Sequence, residues 1–110
     1  MNSDDLRRLE EVGSPVTFPT GHVLIERGHH GGGLFVILEG TVVVEAPEGD
    51  LEYGSGSIVG ERALLSPAGR RAARVRATTD LRVLAVDRRE FERLCADDAA
   101  FEERVASLSA

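Results

Sequence analysis

The sequence predicts a mainly β fold, a small double-stranded β-helix or jelly roll, with short helices at its N-terminal and C-terminal ends. Three observations carry this. Apolar residues recur at helical spacing over the first twelve positions, fall into short or alternating runs from Thr17 to Val86, and return to helical spacing after Asp87. Gly, Pro, Asp or Ser fill most of the gaps between the short runs, as the turns of a compact all-β domain require.

Taken in order, Ser3 to Val12 reads as an amphipathic helix with Leu6, Leu9 and Val12 on one side and Gly13 placed to end it. Val23 to Ile25, Leu34 to Leu38, Thr41 to Glu45, Ala73 to Ala77 and Leu81 to Val86 read as strands. Ala46 to Asp50 is a hairpin signal between Val44 and Leu51. Gly60 to Leu65 follows the apolar pair Ile58 and Val59 and reads as one helical turn inserted between strands. Asp87 with Glu90 three residues later resembles a capping pair, opening a helix that carries Phe91, Leu94 and Cys95. A second apolar stripe follows at Phe101, Val105 and Leu108. No internal repeat interrupts this order.

Composition narrows the class. A length of 110 residues suits a single domain spanning 1–110, and 42% hydrophobic with 29% charged residues excludes a disordered chain. No apolar run approaches the ~18 residues of a membrane helix, and the charged N-terminus lacks a secretory pattern, so a cytoplasmic protein with no membrane partner is expected. Cys95 is the one cysteine, which excludes an intrachain disulfide and a multi-cysteine zinc site. The net charge of -6 has the wrong sign for gripping nucleic acid by its phosphates. All 13 basic residues are Arg, however, and Arg62, Arg70, Arg71, Arg74 and Arg76 share a stretch without one carboxylate, leaving -11 for the rest.

That stretch is the candidate site. A helical turn at Gly60 exposes unpaired backbone N-H groups that favour an anion, and Ser66 to Gly69 returns Arg70 and Arg71 toward it. A Gly-led turn followed by arginines also occurs in surface loops, so these residues alone leave a phosphate cradle and a solvated loop both open. Arg74 and Arg76 alternate with Val75 and Ala77, the pattern of solvent-facing arginines on a half-buried strand.

From Thr17 to Phe101 the pattern resembles the cyclic-nucleotide-binding domain family of the catabolite activator protein and the protein kinase A regulatory subunits. GHVLIERG and LFVILEGTVVV look like the family's opening strands, with Gly28 and Gly40 at its turn glycines. GSGSIVGERALL looks like the approach to the phosphate-binding cassette, and RRAARVRATTDLRVLAVDRREF like the exit from it. The ten-residue step from Glu61 to Arg71 is like that of the catabolite activator protein, while the pair Arg71 and Ala72 is more like the kinase version. The resemblance implies that Glu61 accepts from the ribose 2'-hydroxyl, that Arg71 forks onto the cyclic phosphate, and that Gly60, Arg62, Ala63 and Ala72 line the site. Ala72, in place of a hydroxyl residue, leans the implied ligand toward cAMP over cGMP. Ser57 departs from the family's usual Asp, and Arg74 from a position that is often small or Thr. The family's long final helix is only partly built by Ala110, and no helix-turn-helix segment follows to read DNA.

The expected function is therefore a cyclic-nucleotide sensor or regulatory module, not an enzyme, with no cofactor beyond cAMP or cGMP, and with a protein effector or a second copy as its output partner. One alternative is a nucleotide-free interaction or dimerisation module of the same fold, in which Glu61 and Arg71 form a surface ion pair worth ~0 to 1 kcal/mol. Another is a metal-dependent enzyme of the cupin type using His22, His29 or His30. Cupins place two histidines one residue apart, whereas adjacent His29 and His30 on a strand point to opposite faces, so the three are read as loop histidines and no metal site is assigned. Cys95 shares the apolar side of its helix and is read as packing.

Overall fold

The computed structural model describes residues 3–26, 32–60 and 73–107. Among them the chain forms α1 (Ser3–Val12), β1 (Ser14–Phe18), β2 (Val23–Ile25), β3 (Gly33–Glu39), β4 (Val42–Ala46), β5 (Gly49–Tyr53), β6 (Ile58–Val59), β7 (Arg74–Ala77), β8 (Leu81–Asp87), α2 (Arg88–Asp97) and α3 (Ala99–Ala106). The strands build two antiparallel sheets of four, ordered β1-β8-β3-β6 and β2-β7-β4-β5, the mainly β jelly roll that the short runs predict.

The first sheet is covered on both faces, and the period of two in its strands shows how. Leu34 and Val36 of β3, Leu84 and Val86 of β8 and Ile58 of β6 face the helices, where Leu9, Phe91, Phe101 and Val105 complete one buried cluster. The intervening Ile37, Val83 and Val59 face the second sheet and close a second cluster with Ile25, Val42, Val75 and Ala77. Strands buried on both sides read as continuous apolar runs, which is why LFVIL and LRVLAV stand out in the sequence.

Two boundaries differ from expectation. β1 was not among the expected strands, because Pro15 interrupts a short alternating run. Proline is tolerated there because β1 is an edge strand, paired with β8 alone. The hairpin tightens to Pro47 and Glu48, since pairing continues to Ala46 and Gly49. The second apolar stripe has a helix of its own, α3, which carries Phe101 and Val105 and which Asp98 starts by accepting from Ala100 N at 3.1 Å. The capping pair forms as expected, Asp87 accepting from Glu90 N at 2.9 Å.

The helices are joined by charge as well as apolar packing. Asp5 on α1 is only 1% exposed and is the one buried charged side chain among the described residues. Arg104 on α3 forks onto it, Nε donating to Oδ2 at 2.7 Å and Nη2 to Oδ1 at 2.9 Å. The Arg104 Nη2 also donates to Asp98 Oδ2 at 2.8 Å, which in turn accepts from Arg8 Nη1 at 2.8 Å.

Candidate functional site

Two strands deliver the chain to and from the candidate stretch. β6 lies at the edge of the first sheet, with Val59 opposite Phe35, and leads into Gly60 at φ +95°. An L side chain is strained at that angle, so glycine suits the exit of β6 for a backbone reason. The chain rejoins the fold through β7, inside the second sheet, where Val75 lies opposite Val44 and Ile25. Residues 61–72 therefore connect the edge of one sheet to the interior of the other. Of the predicted site residues Gly60 is described, while Glu61, Arg62, Ala63, Arg71 and Ala72, together with the expected helical turn, lie outside the described residues.

The two junctions flank the buried apolar cluster between the sheets. Phe35 and Val59 contribute from the first sheet, Ile25, Val75 and Val44 from the second. Leu51 belongs to the same row, since it pairs with Val44 and alternates with outward-facing Asp50 and Glu52. Leu51 is nevertheless 61% exposed, the one exposed large hydrophobic residue among those described. Sequence reasoning used Leu51 only to mark the far side of a hairpin. The signal was the alternation of Leu51 and Tyr53 with acidic neighbours, which sets both on the inner face with Val42 and Val44.

The arginine cluster divides. Arg74 and Arg76 point outward from β7, as their alternation predicts, and donate through Nε to Glu26 Oε1 at 3.0 Å and Glu45 Oε1 at 3.1 Å. These two charges are thus matched within the second sheet. Ser57 lies in a turn, its N-H donating to Gly54 O at 3.1 Å and its carbonyl accepting from Ile37 N at 2.9 Å.

The exposed His22 stacks on Phe18 with ring centroids 4.4 Å apart, while His29 and His30 lie outside the described residues. Among the described residues no group of three or more His, Cys, Asp or Glu side chains is placed to hold a metal. Cys95 packs beside the helical cluster, and burial, then the Glu102, Asp98 and Glu92 charges, pushes its thiol up to about 11, which suits packing better than nucleophilic attack. A groove of about 490 Å³ lined by Phe18, Pro19, Glu39, Asp80 and Arg82 lies at the far end of β3 from Phe35, away from the Gly60 exit. No helix among the described residues is long and apolar enough to cross a membrane.

With this geometry in hand, comparison with known proteins identifies the class. Residues 15–98 match the family model of the cyclic nucleotide-binding domain, and the chain belongs to that family. It is similar to a cyclic nucleotide-gated potassium channel of Rhizobium etli, 33% identical over 83% of this chain and 25% of the channel. It is also similar to a cAMP-dependent protein kinase regulatory subunit of Dictyostelium discoideum, 34% identical over 79% of this chain and 29% of that protein. The chain thus spans about a quarter of the length of these curated relatives. A solved structure reported for a cyclic-GMP-dependent signalling pathway that regulates bacterial phytopathogenesis superimposes with a TM-score of 0.84, at 25% identity, over 97% of this chain and 89% of its own.

Proposed function

We propose that residues 1–110 form one sensor domain that binds a cyclic nucleotide, cAMP in preference to cGMP, and that regulates a partner without catalysing a reaction itself. The observation that carries this is the family match across the junction where Gly60, at φ +95°, leads into GERALL and where Arg70-Arg71-Ala72 returns the chain to β7. Glu61 is the ribose acceptor and Arg71 the phosphate ligand in this reading, with Gly60, Arg62, Ala63 and Ala72 lining the site. Arg71 carries the charge matching, because helix-terminal N-H groups alone supply only ~0.3 to 1 kcal/mol when exposed. Exposed Leu51 offers an apolar platform for the flat face of the base. The preference for cAMP rests on Ala72. Among the relatives, the Dictyostelium subunit is named for cAMP and the solved structure's pathway for cyclic GMP.

Binding in this reading draws the segment after Gly60 toward the phosphate and alters how the terminal helices pack, a shift that a protein effector or a second copy then reads. The protein acts in the cytoplasm and touches neither nucleic acid nor membrane. A cycle of Glu61→Ala against 2'-deoxy cAMP tests the ribose contact. The mutation should weaken cAMP binding by ~1.5 to 3 kcal/mol and change binding of the deoxy analogue little. Additive losses would remove Glu61 from the site, and cGMP binding tighter than cAMP would reverse the ligand preference.

A further inference from the structure

Among the described residues four strands end the two sheets, and three of these edges resist a further strand. β1 carries Pro15, which has no N-H to offer, β2 has three residues and shifts register between Val23 and Ile25, and β6 has only two residues. β5 differs. Gly49–Tyr53 pairs with Val42–Ala46 of β4 in unbroken register, holds no proline, and has no described strand on its other side. A strand paired on one side alone directs the N-H and C=O of every second residue away from its partner, where another strand can meet them. In the middle of this edge stands Leu51, the one exposed large hydrophobic side chain among the described residues.

Charge decides what fits there. Within the second sheet the outward arginines meet acids, Arg74 donating to Glu26 and Arg76 to Glu45. That matching stops at the outer hairpin, where Glu48, Asp50 and Glu52 are exposed and no described cation pairs with them. Asp50 lies opposite Glu45, a like-charge neighbour that a cation on the open side of β5 offsets. A second copy fits badly. Antiparallel pairing of two β5 strands about Leu51 sets Asp50 against Glu52 twice, which like-charge repulsion disfavours. We propose that the open edge of β5 takes up an extended basic segment of a partner protein as an added strand, with Lys or Arg beside Asp50 and Glu52 and an apolar residue beside Leu51. Main-chain hydrogen bonds then supply affinity, and the alternation of acidic and apolar neighbours supplies specificity. The inference does not depend on which nucleotide binds.

Titration of the whole protein with a blocked peptide that alternates Lys and Val tests it, with hydrogen exchange to locate the contact. The expected result is saturable binding in which amides of β5 gain protection and those of β1 do not. The same peptide methylated at every backbone nitrogen keeps its charges and loses its donors, and should bind roughly tenfold more weakly or worse. Asp50→Lys combined with Glu52→Lys reverses the edge charge at two exposed positions and should also lower affinity roughly tenfold or more. Should that variant fail to fold, Asp50→Asn with Glu52→Gln must still weaken binding. No binding to wild type, equal binding of the methylated peptide, unchanged affinity in the charge variants, or protection gained elsewhere with β5 unaltered would each overturn the proposal. Self-association of wild type through β5 at neutral pH would overturn it too, by giving the edge to a second copy.

Discussion

Gly40 shows how one residue governs a turn of the roll. It sits at φ +96° between β3 and β4, and an added Cβ would lie 2.5 Å from Asp80 O and 2.7 Å from Thr79 Oγ1. Angle and space both exclude a side chain, so Gly40→Ala should destabilise the protein by about 1 to 3 kcal/mol. Gly54 is the control. Its nearest neighbour to an added Cβ is Thr41 Cγ2 at 3.8 Å, and Gly54→Ala should be neutral or stabilise by about 0.4 to 1 kcal/mol through the unfolded chain. Urea midpoints of the two variants check the contrast, and equal losses would contradict it.

Among the elements, the helix ends carry the sharpest expectations. Asp87→Ala removes the oxygen that receives Glu90 N and should cost ~0.5 to 2 kcal/mol in urea unfolding. The Asp5, Arg104, Asp98 and Arg8 charges that join α1 to α3 add an acid response. Hydrogen bonds from Arg8 and Arg104 hold the Asp98 carboxyl well below the usual carboxylate range, and Arg104 lowers Asp5 likewise. Folded values below the unfolded value of ~3.9 mean that these groups stabilise the protein fully above that pH, and that their contribution is lost as pH falls through the lowered values. Melting temperature should therefore drop more steeply below pH ~4 in wild type than in Asp98→Asn; identical slopes would remove Asp98 from the acid response. These elements also show what was legible in the sequence. The runs at Leu34 and Leu81 were readable because burial on both faces leaves no polar alternation. β1 was hidden by Pro15, which interrupts a short alternating run. The ion pair of Asp5 and Arg104 was invisible because the two are 99 positions apart and meet only through the fold.

At the scale of the whole molecule, two sheets and a helical layer share one doubly buried sheet, and the chain crosses between the sheets after Gly60. The candidate stretch stands out in the sequence because a glycine precedes an acid and arginines follow free of carboxylates, while the structure describes only its Gly60. Exposed Leu51 does not stand out in the same way, because it is marked only by its row in a strand whose partner the sequence does not name. In the proposed reading Arg71 is the cation that meets the single phosphate charge. Calorimetric titration of cAMP into wild type and Arg71→Ala is the most direct test, because truncating one partner of a buried charge pair costs ~2 to 5 kcal/mol. Wild type should bind one cAMP per chain, with affinity reduced roughly 30-fold or more in Arg71→Ala and far less in Arg70→Ala. Absence of binding to wild type by either cyclic nucleotide, or tight binding that survives Arg71→Ala unchanged, would contradict the account.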